Sequence, residues 1–192
     1  MSIDPSKWNL MSPAPEMPAA PEPAGEAERK GGRRVGFLSN RKPNATEMEQ
    51  EFKRLAEEAE LTEVTHFYEK VEGPGVGAPQ ELLDQIADEC DVVMVGSADC
   101  GSCTSWSTHD AVELEKRGTY ALLLCSEAFE QLAKVQSASL GRPELELLKV
   151  PHPISGSTPD VAIAKAHDAF PAFKTWLEKV AEPSAQPVGS GS

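Results

Sequence analysis

Short apolar runs alternating with amphipathic stretches constrain the fold of this chain more than any other feature. Arg34 to Ser39 (RVGFLS) is an apolar run closed by the turn-rich segment Asn40 to Asn44, and Ala45 to Ala59 then carries Met48, Phe52, Leu55 and Ala59 at helical spacing. Glu63 to Tyr68 reads as a second strand. After the Gly/Pro loop Gly73 to Gly77, the segment Pro79 to Cys90 places Leu82, Leu83, Ile86 and Cys90 on one helical face. Asp91 to Gly96 (DVVMVG) is almost wholly apolar, as expected of a central strand covered on both faces. The pattern continues with a helix over Ser102 to Arg117, a buried strand over Thr119 to Cys125, a helix over Ser126 to Ser137, a strand over Glu144 to Val150 and a helix over Asp160 to Val180. Strict alternation implies βαβ crossovers. The expected class is therefore α/β, a three-layer parallel sheet of about five strands of the flavodoxin/Rossmann-like kind.

Residues 33–181 suffice for one such domain. Residues 1–32 are rich in Pro, Ala and Glu and hold too few apolar residues to offset the entropy of ordering, so they are expected to form a disordered tail. Residues 182–192, rich in Pro, Ser and Gly, are expected to form a second one. Trp8 and Leu10 are the exceptions and could dock on the body or on a neighbouring subunit, which leaves a homo-oligomer open. No secretory h-region or bilayer-length apolar run occurs, and four unevenly spaced cysteines read as reduced thiols; both features lead to an expected cytoplasmic location. A net charge of -13, with 31 acidic against 18 basic residues, disfavours nucleic acid and anionic membrane as partners.

In parallel sheets ligands gather beyond the carboxyl ends of the strands. Four segments meet that condition here: Asn40 to Asn44, Ala98 to Cys103, Cys125 to Glu127 and Pro151 to Gly156. A thiol attacks as thiolate, and the positive end of a helix favours that anion, so Cys100, at the strand-to-helix turn, is the expected nucleophile. Cys103 follows at CxxC spacing and is placed to resolve an adduct on Cys100. Asp99 reads as a neighbouring charge that opposes the Cys100 anion. His152, in the rigid sequence PHP, is the expected general acid. Lys42 and Asn44 are candidates for holding a carboxylate, with a solvated lysine and a helix start as the structural alternatives. Ser102, Thr104, Trp106, His109 and Cys125 complete the candidate substrate-binding set. Thr104 would bind developing negative charge, Trp106 would line the pocket or pack, and His109 and Asp110 could equally be a surface polar pair. Cys125 could equally be a small buried hydrophobe. His66, His167 and Cys90 read as structural. No metal is assigned, because a second CxxC or a His pair is missing.

The stretch Asp99 to Gly118 (DCGSCTSWSTHDAVELEKRG) resembles the selenocysteine region of the B-type subunits of glycine, betaine and D-proline reductases. Cys100 falls on their selenocysteine, Cys103 and Thr104 on the Cys and Thr that follow, and Glu113, Leu114, Glu115 and Gly118 on the helix end. Val150 to Pro153 (VPHP), with Ile154 and Gly156, is similar to a later motif of the same subunits. The resemblance is closer still to the family named for its UGSC motif, here in a cysteine form. There the continuation after the motif and an early Lys-Pro-Asn, Lys42 to Asn44 here, also match. The resemblance implies thiol attack on a substrate and reductive cleavage of a bond to carbon. Departures are Trp106, where the reductases carry another Cys, the shorter chain, and the lack of anything that supplies their pyruvoyl partner.

The leading expectation is a thiol-dependent oxidoreductase acting on a small-molecule substrate. It is expected to need no cofactor of its own and to be restored by an external thiol or dithiol, free or carried by a reductant protein. Two alternatives stand beside it: a thioredoxin-like disulfide exchanger, which requires an antiparallel hairpin after the CxxC helix, and a non-enzymatic metal-binding or redox-sensing module using Cys100, Cys103, Cys125 and His152.

Overall fold

Seven consecutive buried residues, Val92–Ala98, form the central strand β3, as their apolar sequence predicts. The computed structural model describes residues 32–181. The expectations for residues 1–31 and 182–192, Trp8 and Leu10 among them, lie outside the described residues. Around β3 the elements follow in the expected order: β1 (Arg34–Ser39), α1 (Ala45–Glu58), β2 (Val64–Glu69), α2 (Gln80–Glu89), then after β3 α3 (Gly101–Lys116), β4 (Tyr120–Ser126), α4 (Glu130–Ser139), β5 (Glu146–Val150) and α5 (Pro159–Ala181). A single 3-10 turn, Glu127–Phe129, stands where the periodicity predicts the start of the fourth helix. Boundaries elsewhere differ by one or two residues, and β3 runs on to Ala98, which brings its carboxyl end directly to the cysteines.

All pairings are parallel and the sheet order is β2-β1-β3-β4-β5. This is the flavodoxin-like order, with the change of direction between β1 and β3, the place beyond whose carboxyl ends sheets of this kind bind ligands. It also removes the thioredoxin-like fold for the described residues, because β4, the strand after the CxxC helix, pairs parallel to β3 and β5 pairs parallel to β4.

Alternate strand residues point to opposite faces and give two apolar layers. One packs Val35, Phe37, Val92, Met94, Leu122 and Leu124 against Met48 and Phe52 of α1 and Phe173 and Leu177 of α5. Phe173 meets Phe37 and Phe52 edge-on, with ring centroids 6.1 and 5.3 Å away. The other packs Leu38, Val93, Val95, Leu123 and Cys125 against Leu83 and Ile86 of α2, Val112 and Leu114 of α3, and Ala133 of α4. Each large side chain fully buried in this way contributes roughly 1.5–3 kcal/mol.

Two polar features interrupt these layers. Lys70, just past β2, is buried and its Nζ lies 2.8 Å from Asp110 Oδ2, while Asp110 Oδ1 accepts the Ala78 N–H at 2.9 Å. The surface role considered for Asp110 is thus corrected: it is a buried carboxylate that ties β2 and the 73–78 loop to α3. Glu49 is fully buried on α1, and neither carboxyl oxygen has a hydrogen-bond partner among the described residues. Burial pushes its pKa up to about 8. Its carboxyl group lies over Gly96, where a β-carbon would force it to shift.

Candidate functional site

Cys100 is the N-cap of α3. Its extended backbone (φ -157°) lets its carbonyl take the first helical bond, from Thr104 N–H at 3.0 Å, while its sulfur accepts from Cys103 N–H at 3.4 Å. Cys103, one turn inside, is buried, and its sulfur lies 2.7 Å from Cys100 Sγ; both cysteines are free thiols. Cys103 Sγ also accepts the Asp99 N–H at 3.2 Å.

The two thiols are driven in opposite directions. For Cys100, burial opposes the anion, but hydrogen bonds from the Cys103 side chain, the Cys103 N–H and Ser102, with the nearby positive charge of Lys42, outweigh it and hold its pKa below that of an ordinary thiol. Burial and the role of donor to Cys100 push Cys103 up to about 11. Cys103 is therefore the thiol of the pair that keeps its proton, and its S–H is also within reach of Cys100 O at 3.4 Å. Lys42 is half-buried; its backbone N–H donates to Asn40 Oδ1 at 3.1 Å, while its ammonium group makes no hydrogen bond or ion pair among the described residues and is available to an anion.

His152 comes from the loop after β5, and its Nδ1 lies 3.0 Å from Asp99 Oδ1 and 3.2 Å from Ser126 Oγ. Phe129 lies beside its ring, with centroids 5.8 Å apart. Asp99 is buried and gathers the whole loop: Oδ1 also accepts Ile154 N–H, and Oδ2 accepts Ser155 N–H and Ser155 Oγ, each at 3.0 Å. Burial works against this carboxylate, but those donors prevail and keep its pKa below the ordinary value. Three of the four segments expected to converge therefore do so through hydrogen bonds at Asp99 and Ser126, and the first joins through Asn44. The Asn44 amide nitrogen donates to the carbonyls of Ile154 (2.9 Å) and Ser157 (2.8 Å). Both amide protons are thereby committed to the loop, so Asn44 acts here as its clamp.

The remaining candidates are placed less directly. Ser102 is exposed at the helix start with its Oγ 3.8 Å from Cys100 Sγ. Thr104 is buried and its hydroxyl donates to Cys100 O at 2.6 Å, so the charge-binding role expected for it is not available to its one proton. Cys125 is fully buried, its S–H directed at Ser126 O and its pKa pushed up by burial to about 12; it packs in the second apolar layer. Trp106 and His109 form a separate group on α3, with rings 5.6 Å apart and His109 Nδ1 3.4 Å from Asp110 Oδ1; Trp106 packs over Gly77. Among the described residues no three metal-binding side chains gather, so the four-ligand site considered from sequence is not assembled: the Cys125 thiol is turned into the core. An open hollow lined by Arg33, Leu61, Leu177, Glu178 and Ala181 lies at the amino edge of the sheet, away from these groups.

The UGSC family model matches residues 3–179, nearly the whole chain and both cysteine and PHP segments. The chain belongs to the UGSC family. No curated protein is similar enough in sequence to count as a relative of this UGSC-family chain. Among solved structures, the flavodoxin-like domain of a Synechococcus protein is similar at 12% identity and a TM-score of 0.41, over 76% of this chain and 98% of that one.

Within this UGSC-family site, the residues that sequence reasoning missed are Asp99, as the partner of His152, and Ser126. Asn40 is a third: its amide nitrogen holds Ser97 O and Ser107 Oγ, each at 3.0 Å, and fixes the β1 loop to β3 and α3. The available signal was positional, since all three stand at the carboxyl ends of strands.

Proposed function

We propose that this chain is a thiol-dependent oxidoreductase of small electrophilic substrates, with Cys100 as nucleophile, Cys103 as resolving thiol and His152 as general acid. The observation that carries this reading is the 2.7 Å approach of two thiols at a helix start, one disposed to the anion and one to the protonated form. The Cys100 thiolate attacks a carbon or sulfur that bears a leaving group. A bond to Cys100 Sγ forms, the leaving group departs with its electron pair, and His152 Nε2 supplies its proton. Cys103 then passes its proton to the now neutral imidazole and attacks the Cys100 sulfur. The disulfide forms, and the substrate fragment departs with the bonding pair and takes the proton from His152. The substrate gains two electrons and the cysteine pair loses two. An external thiol or dithiol, free or carried by a reductant protein, restores the pair by exchange. No further cofactor enters the scheme, and the reducing cytoplasm is the compartment that suits it.

The resemblance to the B-type reductase subunits supports a carbon–heteroatom bond as the one cleaved. The CxxC spacing equally supports disulfide exchange, the second reading. One measurement tests what both share. Reduced protein exposed to a haloacetamide in equimolar amount should acquire a single adduct, mapped by mass spectrometry to Cys100, before any of the other three cysteines reacts. If Cys100 remains unmodified under these conditions, the enzyme reading fails.

A further inference from the structure

The contact between His152 and Asp99 determines more than the position of a ring. Asp99 Oδ1 and Oδ2 together accept two backbone N–H groups and the Ser155 hydroxyl, an environment suited only to the ionised carboxylate, which has no proton to give. A carboxylate oxygen 3.0 Å from His152 Nδ1 therefore requires that Nδ1 carry the hydrogen. The other neighbour of Nδ1, Ser126 Oγ, is also within reach of Ala98 O at 3.4 Å, so the serine proton has an acceptor and its oxygen can receive from the ring. Nε2 makes no hydrogen bond among the described residues and is left for chemistry.

We propose that Asp99 is a positioning residue that locks His152 in the Nδ1–H form, so that Nε2 alone exchanges protons with the substrate and the thiol pair. The inference rests on the reading of His152 as the acid of the proposed reaction. It adds a role for the acid next to Cys100, whose sequence position suggests only electrostatic opposition to the thiolate. Asp99 also joins the two halves of the site. Its backbone N–H holds Cys103 Sγ and its side chain holds the imidazole, so the resolving thiol and the proton donor are set relative to each other by one residue. The Asp99 carboxylate makes no contact with either thiol; its effect on proton transfer passes through His152.

The test is the tautomer itself, read from ring nitrogen shifts of 15N-histidine-labelled protein above the imidazole titration. With four histidines in the chain, the His152 signals are assigned by their loss in His152→Gln. In the wild type Nδ1 should be protonated and Nε2 bare. Asp99→Asn, which can turn an NH2 toward the ring, should transfer most of the hydrogen to Nε2, and Ser126→Ala should leave it on Nδ1. A wild-type ring with its hydrogen on Nε2, an Asp99→Asn ring unchanged from the wild type, or a Ser126→Ala ring that switches would each overturn the proposal. Should Asp99→Asn fail to fold, the wild-type and Ser126→Ala spectra decide alone. The haloacetamide labelling of Cys100 is a separate readout: its failure with the tautomer as expected removes the enzyme reading and leaves the positioning in place.

Discussion

Cys103 Sγ stands 2.7 Å from Cys100 Sγ, and the nearness of its S–H favours the anionic form of the Cys100 sulfur. Replacing that donor by a methyl group, Cys103→Ala, should raise the apparent pKa of Cys100 and slow its alkylation at neutral pH. The rate at a pH high enough to ionise the thiol fully should stay near that of the wild type. A profile of alkylation rate against pH checks the direction, which is upward because the anion loses a hydrogen bond.

Cys100→Ser should abolish rapid labelling by a bulky electrophile, since a hydroxyl near neutral pH is a far weaker nucleophile than a thiolate. Cys103→Ser should instead accept substrate on Cys100 and release it slowly, and intact-mass measurement should find the accumulated adduct. An adduct on Cys103 in the Cys100→Ser protein would reverse the two assignments.

Glu49 gives a pH dependence whose sign follows from its burial. Its folded pKa of about 8 lies above its ordinary value of 4.5, so its full contribution to stability is present below pH 4.5 and is lost as pH rises toward 8. Glu49→Gln removes this loss. The stability difference between variant and wild type should grow by on the order of 3 kcal/mol from pH 4.5 to pH 7 and level off above pH 8. Urea midpoints at pH 5, 7 and 8.5 measure it, and a constant difference would show that Glu49 is ionised or solvated at neutral pH.

The Lys70–Asp110 pair should behave as a buried ion pair does. Lys70→Met alone strands a buried carboxylate and should cost about 3–5 kcal/mol in denaturant unfolding, whereas Lys70→Met combined with Asp110→Asn should recover part of that loss. Equal losses in the single and double variants would show that packing of the lysine stem, and not charge, is what matters.

Asn44 adopts a left-handed backbone (φ 67°) and spends its side chain on the 154–157 loop. Asn44→Ala should lose about 1–3 kcal/mol from the stranded carbonyls, with added backbone strain, and Asn44→Gly should relieve the strain but not restore the clamp. Hydrogen exchange in residues 154–157 should rise in both variants, which separates the clamp from the backbone effect.

The strands were legible because buried parallel strands are written as uninterrupted apolar runs: Val92–Ala98 and Tyr120–Ser126 read as core at sight. Cys100 and Cys103 were legible because spacing within one helix turn fixes their proximity. Asp99 was not, since a side chain that reaches residues 53 to 56 positions away leaves no local pattern. The same holds for Lys70, forty residues from the carboxylate that neutralises it. In α3 the periodicity itself misleads, because Thr104, Ser107, Thr108 and Asp110 are all buried and the helix has little amphipathic contrast to read.

Gly96 and Glu49 occupy one shared volume, and this has an evolutionary consequence. The two positions are coupled: a β-carbon at 96 would fall against Glu49 Oε1, so a side chain there displaces the buried carboxyl group, and a shorter residue at 49 makes alanine easier to place within β3. Across related sequences the pair should therefore change together, as a linked substitution joining a helix on one side of the sheet to the strand that delivers the thiols.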